Sequence, residues 1–177
     1  MSRYSSAFVV ERSEFMAVEK KVSYAKIVTF SEFSAIRPTL GKIVCTSGGY
    51  DPIHPGHISC LVESCKYGDV LVVIVNGDSF LRAKKGKPFQ DIATRCDIVS
   101  SIIGVDYVIP FEIEDDMTVS VALAQIKPAV FTKGGDRSSR DNIPEWSVCQ
   151  ELGIEVVFGV GREKKWSSSS FLDNWKK

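Results

Sequence analysis

Apolar residues in this chain fall into short runs of β-branched side chains that alternate with stretches of helical spacing. Asp69 to Asn76, D-V-L-V-V-I-V-N, places six apolar residues in unbroken succession, the composition of a strand covered on both faces. Shorter runs at Lys42 to Thr46, Asp106 to Pro110, Ala129 to Lys133 and Ile154 to Phe158 read the same way. Between them the period changes. Ile58, Leu61, Val62 and Cys65 fall at i, i+3, i+4 and i+7, which predicts a helix starting near Gly56. Asp91 to Ile103, Met117 to Lys127 and Ile143 to Leu152 are also expected to be helical, and the Lys- and Gly-rich stretch after Asn76 is expected to be a loop. Strands separated by helices require crossover connections. The expected fold class is therefore α/β, a doubly wound five-stranded parallel sheet with helices on both faces.

Ahead of the first strand, K-I-V-T-F-S-E-F offers Ser31 and Glu32 as a helix-start signal before a break at Pro38. Residues 1–23 are Ser-rich and then mixed, and read as an extension packed on the domain or on a second subunit, or as a tail. Residues 24–177 form the expected domain.

Composition narrows the partners. A chain of 177 residues, 44% hydrophobic and with mean hydropathy +0.02, suits one soluble domain with a full core. Its 22 basic residues balance 22 acidic ones, so there is no whole-molecule basic field for nucleic acid or an anionic membrane. Five scattered cysteines, at 45, 60, 65, 96 and 149, point to reduced packing thiols and a cytoplasmic setting. No apolar run nears the ~20 residues that span a bilayer. Ala7 to Val10 is too short for the apolar region of a signal peptide.

The candidate chemistry gathers on one edge. Parallel sheets bind ligands beyond the carboxyl ends of their strands, at the point where strand order reverses. After the first strand comes G-G-Y-D-P-I-H-P-G-H, which holds both histidines of the chain. After the second comes N-G-D-S-F-L-R-A-K-K-G-K, after the fourth K-G-G-D-R, and after the fifth G-R-E-K-K-W-S-S-S-S. A helix amino end offers free amides and a favourable dipole to phosphate. Pro55-Gly56 between the histidines argues against stacking, so His54 is expected to project from the turn and His57 from the first helical turn, both toward one phosphate. A zinc site through His54, His57 and Cys60 lacks a fourth ligand. Gly159-Val160-Gly161 lacks the third glycine of a dinucleotide fingerprint.

His54-Pro55-Gly56-His57 after G-x-[FY]-D resembles the H-x-G-H signature of the cytidylyltransferase-like nucleotidyltransferases. Within that family the chain looks most like the sugar-phosphate adenylyltransferases of ADP-heptose synthesis and glycerol-3-phosphate cytidylyltransferase. Lys133-Gly134-Gly135-Asp136 matches the heptose-type K-G-G-D, and Arg162 with Ser167, Ser168 and Ser169 aligns with R-x-x-x-x-S-T-T. Serines replace the threonines, and Lys165-Trp166 stands where relatives have glycine and a small apolar residue. The resemblance runs from about residue 24 to about residue 172.

It implies a Rossmann-like sheet in the order 3-2-1-4-5 and a homodimer. It implies catalytic roles for His54, His57 and Lys85, with Lys84 the alternative to Lys85. Nucleotide and phosphate contacts are expected from Ser47, Gly48, Gly49, Tyr50, Asp51, Lys84, Gly134, Gly135, Asp136, Arg162 and Ser167 to Ser169. Asn76, Asp78, Arg95 and Arg137 are expected at the substrate or at an interface, Arg95 either on phosphate or in subunit packing.

The implied reaction transfers AMP or CMP from ATP or CTP to a phosphorylated sugar or polyol and releases pyrophosphate. A phosphate monoester is already largely dianionic near neutrality, so alignment and charge neutralisation suffice. Mg²⁺ is expected to arrive on the triphosphate, because no carboxylate cluster stands ready for it. Two alternatives are an adenylyltransferase of the FAD or coenzyme A type and a nucleotide-sensing module without turnover.

Overall fold

Val72, Val73, Ile74 and Val75 have no measurable exposure, because β3 (Val70–Asn76) runs through the middle of the sheet with helices over both faces. The computed structural model describes residues 23–112, 118–135, 143–163, 165 and 167–175. The residues 1–22 of the proposed extension lie outside that set.

The remaining strands are β1 (Lys26–Ile27), β2 (Ile43–Gly48), β4 (Tyr107–Phe111), β5 (Val130–Gly134) and β6 (Glu155–Val160). The helices are α1 (Phe30–Ile36), α2 (Pro55–Ser64), α3 (Asp78–Lys85), α4 (Ile92–Ser100), α5 (Ser120–Ile126), α6 (Trp146–Glu151) and α7 (Ser168–Trp175). All paired strands are parallel, in the order β1-β4-β3-β2-β5-β6.

The sheet thus has six strands, not the expected five, and its full order is the expected 3-2-1-4-5 extended by an edge strand. The five strands read from the sequence lie as β4-β3-β2-β5-β6, and β1 adds an edge beside β4 through Lys26 with Tyr107 and Ile27 with Val108. Both residues of β1 are exposed, so the strand has no buried alternation by which to be recognised.

Strand alternation divides the core in two. Ile43, Cys45, Ile74, Ile109 and Phe131 face one layer with Phe33 of α1, Leu123 of α5 and Cys149 of α6. Val44, Val73, Val75 and Val108 face the other with Leu61 of α2 and Val99 of α4. A polar clamp joins β2, β5 and α2: Thr46 Oγ1 donates to the Thr132 carbonyl at 3.0 Å, and Ser64 Oγ lies 2.7 Å from Thr132 Oγ1.

Two local readings change. α1 is capped by Thr29, not Ser31, with Glu32 reaching back to the Thr29 amide in a full capping box. The stretch after Asn76 is helix α3, not loop. Its first amides are capped from a distant strand end: the Glu112 carboxylate accepts from Asp78 N at 2.8 Å and Ser79 N at 3.2 Å. No residue near Asn76 announces that cap. Among the described residues no helix is long and apolar enough to cross a membrane.

Candidate active site

β2 ends at Gly48, and the chain then bends through Tyr50 with φ of 51° and a cis Asp51-Pro52 bond before α2 begins. The bend is bolted from beneath. Arg95, 1% exposed, donates from Nη1 to the carbonyls of Gly49 at 2.8 Å and Asn76 at 2.6 Å, from Nε to the Gln90 carbonyl, and from Nη2 to Asp78 Oδ1 at 2.7 Å. Its donors therefore serve the scaffold, tying the ends of β2 and β3 to α3 and the loop before α4. Asp78 is likewise engaged as the partner of Arg95.

Asp51 has a similar structural part. Only 2% exposed, its carboxylate accepts from Phe89 N and Gln90 N at 2.8 Å each and pairs with the Lys85 ammonium, which also donates to the Asp51 carbonyl. Lys85 is thereby held against the histidine bend, its side chain 16% exposed. Lys84 is turned away, with Nζ 5.5 Å from the Phe80 ring centroid. Of the two lysines, Lys85 faces the site.

The histidines meet, but not as expected. His54 is the N-cap of α2, and its Nδ1 accepts the His57 amide at 3.3 Å. The two rings stack, centroids 3.7 Å apart and planes 18° apart. Capping brings the His54 ring back over the first turn, where the His57 ring also lies, and this outweighs the divergence expected from Pro55-Gly56. Tyr50 packs edge-on to His57 at 5.1 Å, and Phe171 of α7 lies 6.2 Å from His54. Tyr50 is buried, and burial, with neighbouring Cys60 and Cys45, pushes its hydroxyl well above the ordinary tyrosine range. Tyr50 thus forms a packing wall for His57.

The clusters after β5 and β6 close over α2. Arg162 N donates to Ser59 Oγ at 3.0 Å, leaving an exposed side chain. A Cβ on Gly161, where φ is +90°, would stand 2.7 Å from the Cys60 amide, and one on Gly135 would stand 2.6 Å from the Arg162 carbonyl. These glycines let the loops touch. Ser167 Oγ accepts the Ser170 amide at 3.0 Å and so caps α7, while Ser168 Oγ donates to the Pro52 carbonyl at 2.9 Å and docks that helix on the histidine bend. Ser169 is exposed. An open groove of about 610 Å³ runs along α2 between Pro55, Ser59 and Arg162. Asp136 and Arg137 lie outside the described residues.

Ser47, Gly48, Gly49 and Gly134 line the strand ends, half-buried. Asn76 is 7% exposed at the end of β3, and its Oδ1 accepts no hydrogen bond among the described residues. Four residues were given no role from the sequence. Glu112 caps α3, Phe171 packs on His54, and Lys133 pairs with Glu145 across β5 and α6. Lys133 had a signal, its place in K-G-G-D. Glu145, Glu112 and Phe171 had none, because each acts on a residue remote in sequence.

The model of the cytidylyltransferase-like family matches residues 45–169, and the chain belongs to that family. Among curated proteins it is similar to the bifunctional protein HldE of Aliarcobacter butzleri (strain RM4018), 37% identical over 82% of this chain and 31% of the relative. The HldE of Streptomyces coelicolor is 35% identical over 69% of this chain and 26% of the relative. The chain thus spans about a third or less of the length of these relatives. Among solved structures, a lipopolysaccharide core biosynthesis protein from Thermoplasma volcanium GSS1 is 32% identical, with TM-score 0.58, over 71% of this chain and 100% of that one. A pantoate-beta-alanine ligase from Francisella tularensis, at 15% identity and TM-score 0.58 over 84% of this chain and 73% of that one, shares the fold alone.

Proposed function

We propose that the protein is a nucleotidyltransferase that transfers AMP or CMP from ATP or CTP to a sugar or polyol phosphate. The observation that carries this reading is the stacked His54 and His57 pair at the amino end of α2, on the ligand edge of a parallel sheet. Because His54 Nδ1 accepts a backbone amide, its proton sits on Nε2, which makes that atom a donor to substrate.

In the reaction an acceptor phosphate oxygen attacks the α-phosphorus. The new P–O bond forms as the bond from the α-phosphorus to the bridging oxygen breaks, and pyrophosphate leaves with that electron pair. His54 and His57 donate to the α-phosphate and bridging oxygens, where negative charge builds. Arg162 neutralises the polyphosphate, and Lys85, oriented by Asp51, donates hydrogen bonds to it. The hydroxyls of Ser167 to Ser169 and the first amides of α7 take its far end. Mg²⁺ enters as part of the substrate, held by phosphate oxygens and water, and supplies charge neutralisation.

Similarity to HldE proteins and to a lipopolysaccharide core biosynthesis protein, with K-G-G-D, favours ATP and a heptose-like phosphate over CTP and a polyol phosphate. The reading includes a cytoplasmic setting, where triphosphates and reduced thiols coexist, and a homodimer, which light scattering on the full chain tests. A matrix of four triphosphates against several phosphorylated acceptors, read as pyrophosphate release, tests the reaction. One strongly preferred pair is expected. Release from no pair would remove the reading in favour of a sensing module.

A further inference from the structure

Lys133 and Glu145 form a largely buried ion pair for which the scheme above has no use. Lys133 Nζ lies 3.3 Å from Glu145 Oε2, 3.5 Å from Ser47 Oγ and 4.4 Å from the Phe131 ring centroid. Glu145 is only 5% exposed. Its Oε1 accepts the Val119 amide at 3.3 Å, and its Oε2 accepts no hydrogen bond among the described residues. Burying such a pair costs desolvation that an apolar pair would avoid. Its place in the fold suggests what offsets that cost.

Lys133 and Ser47 stand at the carboxyl ends of β5 and β2, the neighbouring strands at which the sheet order reverses. Along β5 the side chains alternate: Thr132 faces Ser64 of α2, the histidine helix, whereas Lys133 faces Glu145 at the start of α6. The cluster therefore lies across the sheet plane from α2, at the ligand edge of the sheet.

Its chemistry favours hydroxyls over phosphate. Glu145 cancels the charge of Lys133, so the pair adds little attraction for a dianion. An ammonium, a carboxylate and a hydroxyl held together both donate and accept, as adjacent sugar hydroxyls require. We propose that Lys133, Ser47 and Glu145 form the subsite for the hydroxyl-bearing part of the acceptor. Lys133 and Ser47 contact the sugar, which for Ser47 replaces the nucleotide contact that the family resemblance implies, and Glu145 is the positioning residue that fixes the ammonium. The assignment of that sugar to an acceptor rests on the nucleotidyl-transfer reading.

The test is calorimetric binding to the full chain of a heptose 1-phosphate and of ethyl phosphate, which keeps the phosphate and lacks the hydroxyls. Ser47→Ala and the double variant Lys133→Met/Glu145→Gln, which leaves no orphan charge, are compared with wild type. Both should weaken the heptose phosphate about 10- to 100-fold while ethyl phosphate and ATP change less than about twofold. Glu145→Gln alone should raise KM for the acceptor and leave KM for ATP unchanged. Equal losses on both phosphates, a loss in ATP affinity, or a wild type that binds both phosphates alike would overturn the subsite. Should the double variant unfold, Ser47→Ala decides, because it keeps the ion pair. Selective sugar binding without pyrophosphate release would uphold the subsite and sink nucleotidyl transfer; release without hydroxyl selectivity would do the reverse.

Discussion

The imidazole of His54 lies face to face with that of His57, ring centroids 3.7 Å apart, while its Nδ1 accepts the His57 amide. One side chain thus caps the helix and orients the other ring. His54→Ala should lose ~0.5–2 kcal/mol of stability with the cap. His54→Asp restores a capping oxygen but places negative charge beside the phosphates, so stability should return while turnover stays at least ~100-fold down. Denaturant melts paired with initial rates separate the two effects. Full activity in His54→Asp would deny His54 any contact with phosphate.

Arg95 binds the ends of β2 and β3 through four acceptors from full burial. Lysine cannot reproduce that fork. Arg95→Lys should destabilise by ~2–4 kcal/mol, a fall in Tm of roughly 5–15 °C for a chain of this size. Thermal melts check this, and an unchanged Tm would show the network to be dispensable.

Glu112 gives stability a pH dependence of known sign. Burial raises its carboxyl, but hydrogen bonds from Ser79 Oγ, Asp78 N and Ser79 N, with the charge of Arg82, outweigh it and hold the group below the ordinary glutamate range. A folded value below the unfolded one makes the contribution present above the unfolded pKa and lost as pH falls through the folded one. The stability gap between wild type and Glu112→Gln should therefore be full near pH 7 and shrink below about pH 4.5. Chemical denaturation at several pH values measures it; a gap that widens in acid would reverse the assignment.

The cysteines differ in access. Burial pushes Cys96 and Cys149 up to about 11 each, and Cys45 further still. Cys60 and Cys65, by contrast, are partly exposed. Titration of the native chain with a disulfide reagent at pH 8 should label no more than those two residues, with all five reacting after denaturation. Rapid native labelling of Cys149 would show that the layer beneath Lys133 is open.

Features carried by local pattern were legible in the sequence. The six apolar residues of β3, the capping serines of α7 and the histidine bend all announce themselves within a few residues. The single ligand edge followed from topology, since parallel strands separated by helices align their carboxyl ends. What escaped was non-local or too short to carry a period. β1 has two exposed residues, and α3 takes its cap from Glu112, 33 residues beyond Ser79. The family resemblance implied a ligand role for Asp51 and offered one for Arg95, with subunit packing as its alternative. Their burial, and the backbone groups they satisfy, exist only once the segments that follow β2, β3 and α3 have been brought together. Sequence spacing could likewise not show that His54 folds back to stack on His57.

The central claim is that both imidazoles act on the phosphorus undergoing substitution. Single-turnover pyrophosphate release, with wild type and His57→Ala each saturated in triphosphate and the preferred acceptor, tests it most directly. The variant should be slower by ~100- to 1,000-fold with triphosphate affinity changed far less. A rate near that of wild type, or a defect confined to binding, would contradict it.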